Sequence, residues 1–315
     1  MEKVVHKVLA LKYRPKNFKE LIGQDIMVET ITNSIKLNKL PNAYLLTGIR
    51  GVGKTTTARL IAKALNCNKN FLKEENCNCN NCEEITNSKH LDVLEMDAAS
   101  RTGIDDVREL IESSKYNPTS AKYKIFIIDE VHMLSKQAFN GLLKTLEEPP
   151  PHLKFIFATT EVKKIPVTII SRCQRFDLHR VSIKVLLDNL KKILKIENGK
   201  VSEGALKLIA KAAEGSVRDS LSLLDRALVS QNINGKETDE NFVREMLGIA
   251  DRSKILELMG LILQGDQKNS VKKIREMIQL KHFTNHVPWG EIGSAKSDRL
   301  RQPSEPLFFA NPILD

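Results

Sequence analysis

Short apolar runs alternate with amphipathic stretches over the first half of the chain. Four runs have the length and composition of buried strands, and they cover residues 43–47, 91–96, 125–128 and 155–160. The segment after the first run carries apolar side chains at helical spacing, namely Ala58, Ile61, Ala62 and Leu65. Strands that alternate with helices build a parallel sheet that the helices cover. The pattern therefore predicts an α/β domain with a parallel sheet.

A helix is predicted between the last two of these strands. Its apolar face is formed by Phe139, Leu142, Leu143 and Leu146. Ser135 is a suitable N-cap, because its hydroxyl can accept a hydrogen bond from a free backbone N–H. Three prolines at 149–151 prevent the helix from continuing.

The middle of the chain has a different pattern. Seven of the eleven prolines lie between Pro15 and Pro166, and none lies in residues 167–287. Apolar residues at helical spacing, interrupted at Gly215 and Gly235, predict a small helical lid there. The expected divisions are an α/β domain, the lid, the start of a further helical domain and an atypical tail, over residues 1–178, 179–248, 249–280 and 281–315.

The loop after the first strand fits the phosphate-binding pattern GxxxxGK[ST]. It comprises Gly48, Ile49, Arg50, Gly51, Val52, Gly53, Lys54 and Thr55, and Thr56 follows it. The glycines let backbone N–H groups turn toward a polyphosphate, and the following helix N-terminus favours negative charge. Lys54 supplies a full charge to the phosphates, and Thr55 is placed to ligate Mg²⁺. We expect this loop to bind ATP.

Two acids follow the third apolar run, where a central strand would deliver them to the carboxyl edge of the sheet. Asp129 is expected to hold the Mg²⁺ ion. Glu130 is suited to orient and polarise a water for attack on the γ-phosphate. The pair predicts hydrolysis rather than binding alone.

Four of the five cysteines are close in sequence, at Cys67, Cys77, Cys79 and Cys82. Four thiolates that converge in a cytoplasmic protein favour a closed tetrahedral zinc site within an insert at 67–82. Reduced surface thiols and a degenerate metal site are the alternatives. Cys173 lies apart from the cluster and is expected to be a small packed residue.

Composition limits the class of protein. No apolar run approaches the ~20 residues of a membrane helix, and residues 1–7 lack the apolar core of a signal peptide. We therefore expect a cytoplasmic protein without a membrane partner. The net charge of +10 and the pI of about 9.3 favour a polyanionic partner such as nucleic acid.

Five further motifs accompany the phosphate loop: LKYRPKNF at 11–18, IGQD at 22–25, DEVHML at 129–134, SRC at 171–173 and GSVRD at 215–219. Together they resemble the gamma/tau family of bacterial DNA polymerase III clamp-loader subunits, which belong to the AAA+ ATPases. The similarity spans residues 8–270. It implies a P-loop domain, a lid and the start of a helical collar. It also implies an ATPase motor that works with other clamp-loader subunits, a sliding clamp and primed DNA.

The resemblance also implies roles for individual residues. Tyr13 and Arg14 would border the adenine and ribose. Thr159 or Thr160 would sense the γ-phosphate from a strand end, and Arg218 would reach it from the lid. Arg172 would enter the ATP site of a neighbouring subunit.

Two further sites follow from the same resemblance. Arg101 and Lys144 would contact the phosphates of duplex DNA, while solvated surface charges are the alternative for both. The family usually separates its second and third zinc ligands by two residues, whereas one residue separates Cys77 from Cys79 here.

Two other functions stay open at this point. A branch-migration AAA+ helicase would share the nucleotide motifs without needing the cysteine cluster or the SRC motif. A non-hydrolysing scaffold subunit of a clamp loader would not need Lys54, Asp129 and Glu130 together. No cluster of acids typical of a nuclease or polymerase is evident, so polymerase chemistry is assigned to the larger holoenzyme.

Helical periodicity continues to about Lys281 and then ends. The stretch 281–315 contains four prolines, Trp289 and a Leu307-Phe308-Phe309 run, without a helical pattern. We expect sequence foreign to the family there, and a tail that recruits a partner is the alternative. If collar helices are missing, the chain is expected to bind ATP but to join the family's hetero-oligomer poorly.

Overall fold

The computed structural model describes residues 8–69, 71–72, 77, 79–234, 238–248 and 252–279. The predictions for residues 1–7, for Gly235 and for the tail at 281–315 lie outside the described residues. The chain divides into two compact units between Val243 and Arg244.

The first unit is built on a five-stranded parallel sheet in the order β2-β3-β4-β1-β5. The strands are β1 Ala43–Thr47, β2 Val93–Asp97, β3 Lys124–Asp129, β4 Leu153–Thr159 and β5 Gln174–Asp177. Strands β1 and β4 are buried throughout, and β3 is buried except at Asp129. This burial on both faces explains their continuous apolar runs, and it confirms the predicted α/β class.

Two strands at the edges differ from the sequence prediction. Strand β2 begins at Val93 instead of residue 91, because the Val93 N–H bonds to the His90 carbonyl at 3.3 Å and closes a turn. Strand β5 was not predicted. Among its four residues only Phe176 is buried, so this edge strand carries no apolar pattern.

Helices cover both faces of the sheet and continue beyond it. In the first unit they are α1 Leu9–Lys12, α2 Asp25–Lys36, α3 Lys54–Asn66, α4 Asn80–Thr86, α5 Ile104–Ser114, α6 Lys136–Glu147, α7 Val167–Ile170, α8 Ile183–Ile196, α9 Glu203–Ala212 and α10 Val217–Asn234. Helix α11, Glu240–Leu247, spans the division. Short 3-10 helices cover Phe18–Glu20, Val131–Met133 and Val162–Lys164.

The helix predicted before the triple proline is confirmed as α6. The Ser135 hydroxyl accepts from the Ala138 N–H at 3.1 Å, as an N-cap should. Phe139, Leu142 and Leu146 are buried in the core, and the helix ends at Glu147. Local sequence therefore fixes both ends of this helix.

Beyond α11, the described residues of the second unit form α12 Arg252–Leu263 and α13 Gln267–Gln279. They pack on each other, and the Lys273 ammonium lies 2.5 Å from a carboxylate oxygen of Glu257. Within the described part of the chain, no helix is both long and apolar enough to cross a membrane.

Candidate nucleotide site and cysteine cluster

The loop between β1 and α3 forms a cradle at the carboxyl edge of the sheet. Gly51 has φ +75°, and a Cβ there would lie 2.1 Å from the hydroxyl oxygen of Ser216. Only glycine fits this position, because the backbone is left-handed and the lid contacts it closely. The glycine pattern thus matches a physical requirement of the cradle.

Lys54 opens α3 and is only 5% exposed. Its ammonium donates to the carbonyl oxygens of Gly48 and Ile49 at 3.0 and 3.1 Å. Burial lowers the pKa of Lys54, while the nearby carboxylates of Glu130 and Asp129 oppose that shift. The loop therefore holds a buried cation at its own centre.

The two predicted Mg²⁺ ligands meet. The Thr55 hydroxyl, at the start of α3, donates to Oδ2 of Asp129 at the end of β3. Burial raises the pKa of Asp129, and the hydrogen bonds from Thr55 and from the Glu130 N–H oppose it. A hydroxyl beside a carboxylate is a donor set that suits Mg²⁺.

Glu130 follows Asp129 in a left-handed conformation, with φ +46°. Its Oε2 accepts from the Thr160 hydroxyl at 3.0 Å and from the Thr160 N–H at 3.2 Å. A non-glycine residue at positive φ stores backbone strain, which is common at functional sites. The structure thus joins the predicted water-activating carboxylate to one of the two sensor candidates.

The two sensor candidates differ in their surroundings. Thr159 is fully buried, and its Oγ1 accepts from the Glu161 N–H at 3.0 Å and contacts Nδ1 of His132 at 2.9 Å. Thr160 is half-buried and contacts Glu130. His132 lies within the DEVHML motif, and its position in the sequence does not reveal these contacts, which the fold creates.

The lid begins at this cradle. The Arg218 N–H, in the first turn of α10, donates to the Gly51 carbonyl at 3.2 Å, and the residue is exposed. The Ser216 hydroxyl accepts from the Asp219 N–H at 3.2 Å, which caps the same helix. The lid residue that sequence singled out therefore lies against the phosphate loop.

The two residues predicted to border the base make contacts in different parts of the chain. The Arg14 guanidinium donates from Nε to the Thr56 hydroxyl at 3.0 Å, which places it beside the start of α3. Burial lowers the pKa of Arg14, and neighbouring Arg59 lowers it further. The Tyr13 hydroxyl instead donates to Glu197 of the lid, and burial followed by this contact raises the Tyr13 pKa to about 12.

The remaining cradle residues differ in exposure. Val52 is buried, Ile49 is half-buried, and Arg50 is exposed at the tip of the loop. Arg50 also contributes a positive field at Lys54. The cradle therefore presents cationic side chains on the surface as well as inside.

Arg172 lies at the opposite edge of the sheet. It precedes β5, whose Gln174 pairs with Tyr44 and whose Asp177 pairs with Thr47, the last residue before the phosphate loop. At ~3.3 Å per strand residue, these pairs are roughly 10 Å apart. The guanidinium is 2.7 Å from Glu147 and 2.6 Å from the Thr168 carbonyl. Arg172 therefore lies away from the phosphate loop of its own chain, and its guanidinium contacts Glu147 and the Thr168 carbonyl instead.

The four clustered cysteines converge. Their sulfurs all lie within 4.8 Å of one another, with Cys67 at 3.3 Å from Cys77 and 3.8 Å from Cys79. Tetrahedral zinc with bonds of ~2.3 Å would separate sulfurs by about 3.8 Å. All four are free thiols rather than disulfides. The donor set fits zinc, even with the shortened spacing.

Local contacts tune these thiols. Burial raises the pKa of Cys79, but N–H groups of Cys82 and Asn68 and the neighbouring thiols outweigh it and lower that pKa to about 6. Burial raises the pKa of Cys67 to about 11 and also raises that of Cys82. The separate Cys173 packs against the core, as predicted, and burial raises its pKa to about 12.

The two DNA candidates are both exposed. Arg101 follows the turn after β2, and its N–H donates to the Asp97 carbonyl at 3.1 Å. Lys144 lies in the last turn of α6. Both side chains are therefore accessible from solvent.

Three family models match consecutive parts of the chain. The model described as DNA polymerase III, delta subunit, matches residues 23–182. The DNA polymerase III clamp loader subunit, ATPase lid domain, matches 186–232. The DNA polymerase III subunits gamma and tau domain III matches 238–280.

Curated relatives carry the gamma and tau names. The chain is 44% identical over 295 residues to the DNA polymerase III subunit gamma of Buchnera aphidicola subsp. Schizaphis graminum, covering 90% of this chain and 80% of that protein. It is 42% identical over 271 residues to the subunit tau of Escherichia coli K12, covering 86% of this chain. The alignment covers only 42% of that tau protein, so the chain spans less than half of its length.

Solved structures give the fold. The Thermotoga maritima RuvB Holliday junction branch migration motor matches with a TM-score of 0.57 at 20% identity, over 79% of both chains. Identity this low establishes the shared fold alone. In contrast, the curated relatives match at more than twice that identity and the lid and domain III models match in order. The chain therefore belongs to the gamma/tau family of bacterial DNA polymerase III clamp-loader subunits.

Proposed function

We propose that this chain is an ATP-hydrolysing motor of a cytoplasmic clamp loader, which places a sliding clamp on primed DNA during replication. The observation that carries the proposal is the convergence of Lys54, Thr55, Asp129 and Glu130 at one edge of the sheet. A cation, a Mg²⁺ ligand pair and a water-activating carboxylate form a complete set for phosphoryl transfer to water. A scaffold subunit would not need this set.

ATP binding and hydrolysis have separate structural supports in this proposal. Backbone N–H groups of the cradle and Lys54 would hold the phosphates, and Thr55 and Asp129 would hold Mg²⁺. Thr160 is the better sensor candidate, because it is accessible and contacts Glu130, whereas the Thr159 hydroxyl is buried. The Arg218 contact with the cradle gives ATP a route to favour one lid position.

Arg172 is proposed to act in trans, on the ATP of a neighbouring subunit. Its place at the amino edge of the sheet, away from its own cradle, supports this role. Arg172→Ala should leave ATP affinity within about twofold and lower hydrolysis by roughly 10³-fold, only in the assembled complex. Arg175→Ala, which removes an exposed arginine two residues beyond the SRC motif, is the control. Equal impairment of the isolated chain by Arg172→Ala would contradict a trans role.

Zinc is proposed as a structural staple at the four clustered cysteines. The convergence of the thiols supports it, and bound zinc would hold the end of α3 to the start of α4, where Cys67 and Cys79 lie. Elemental analysis should find about one zinc per chain, and Cys79→Ser should lose it while Cys173→Ser retains it. Native protein purified without chelators and found free of metal would contradict the site.

Arg101 and Lys144 are proposed to contact DNA phosphates, with their exposure and the basic net charge as support. Such contacts position DNA without reading its sequence. In this proposal they act together with partner subunits and the clamp.

The function is tested by ATP hydrolysis measured with the partner subunits, with and without sliding clamp and primed DNA. A clamp-loader motor should respond to both additions. A helicase should respond to DNA and ignore the clamp, and a scaffold should stay silent in every condition. Either of the last two outcomes would replace the proposed function.

A further inference from the structure

The imidazole of His132 lies between the ends of two strands and is only 6% exposed in its side chain. Its Nδ1 lies 2.9 Å from Oγ1 of Thr159 and 3.4 Å from Oε2 of Glu130. Its Nε2 lies 3.6 Å from a carboxylate oxygen of Glu161. Both ring nitrogens therefore face oxygen atoms on neighbouring segments, and the ring connects the end of β3 with the end of β4.

Hydrogen-bond accounting shows why Thr159 suits this connection. Its Oγ1 already accepts from the Glu161 N–H at 3.0 Å, so one lone pair and one proton remain. A hydroxyl can donate to a bare Nδ1 or accept from a protonated one. The His132 to Thr159 bond is thus available in either tautomer, and it satisfies a hydroxyl that is fully buried.

The bond between His132 and Thr159 also affects the position of Glu130. Glu130 begins the 3-10 turn that contains His132, since the Met133 N–H donates to the Glu130 carbonyl at 2.9 Å. Glu130 itself is held at φ +46°, a conformation that persists only when surrounding contacts enforce it. Anchoring the turn to Thr159 provides such a contact. It also fixes the adjacent Thr160, which holds the Glu130 carboxylate.

We propose that His132 is a positioning residue for ATP hydrolysis, which acts by holding the Glu130 turn against the end of β4 through Nδ1 and Thr159. This inference rests on the proposed ATPase function. It concerns the placement of Glu130 and assigns His132 no contact with nucleotide. Losing the anchor should disturb water activation and leave the phosphate cradle intact, because Lys54 and Thr55 are held by separate contacts.

Three variants of His132 distinguish this role from simple space filling. His132→Ala should lower kcat at least 10-fold and leave the ATP KM and the equilibrium ATP affinity within about twofold. His132→Asn places an amide where Nδ1 lies and should recover most of the activity. His132→Gln places its amide nearer to Nε2 and should recover little. Steady-state kinetics, ATP titration and thermal unfolding are measured on the same preparations.

The outcomes separate the two proposals. An Asn variant as impaired as Gln, or an Ala variant with unchanged kcat, would overturn the role of His132 while the wild-type chain still hydrolyses ATP. A wild-type chain that never hydrolyses ATP, even with its partner subunits, clamp and DNA, would overturn both. If the Ala variant does not fold, the comparison of Asn with Gln decides the matter.

Discussion

Replacement of Glu130 with Gln is expected to lower kcat for ATP hydrolysis by about 10²- to 10⁴-fold, the range typical of a lost general base. ATP affinity should stay within about threefold. The reason is geometric: the Glu130 carboxylate is held by Thr160, whereas the phosphate cradle is held by Lys54 and its own carbonyl groups. Glutamine keeps the size and can still accept from Thr160, but it cannot take a proton from water.

The measurement is a single-turnover hydrolysis assay combined with equilibrium titration of ATP in the presence of Mg²⁺. Glu109→Gln is the matched control, because Glu109 is an exposed glutamate of α5 and its change removes the same charge. The control should retain both binding and hydrolysis. A Glu130→Gln variant that hydrolyses ATP at the wild-type rate would remove Glu130 from the reaction.

Replacement of Lys54 with Ala is expected to produce the opposite defect, a loss of ATP affinity of roughly 10- to 100-fold, as befits a lost hydrogen bond to a charged group. The Lys54 ammonium is buried at the centre of the cradle, where it donates to the Gly48 and Ile49 carbonyls, so its charge lies within the loop that would bind the phosphates. Alanine removes this buried positive charge from the cradle. Hydrolysis falls as well, since little ATP is bound.

Titration of ATP binding to the Lys54→Ala chain tests this expectation. Lys89→Ala is the matched control, because it removes an exposed lysine that follows α4. Equal losses of ATP binding in the Lys54 and Glu130 variants would contradict the separation of roles. Thermal unfolding of each variant tests whether the fold is retained when ATP binding is lost.

Sequence was sufficient wherever function and fold use a local pattern. The apolar runs predicted β1, β3 and β4, because strands buried on both faces need continuous apolar side chains. The glycine pattern predicted the phosphate loop, and Gly51 has the left-handed φ of +75° that favours glycine. The four cysteines likewise predicted a cluster, and their sulfurs converge despite the unusual spacing. In each case the requirement lies in residue types a few positions apart.

Tertiary structure decided what depends on residues far apart in the chain. Strand β5 forms because β1 offers it a partner edge, although Gln174–Asp177 has no apolar pattern of its own. Of the two adjacent threonines, Thr160 donates to the Glu130 carboxylate, 30 residues away in the chain, whereas Thr159 contacts His132. The position of Arg172 at the amino edge and the contacts of His132 arise in the same way. A linear pattern records which side chains a segment carries, whereas the pairing of strands determines which of them meet.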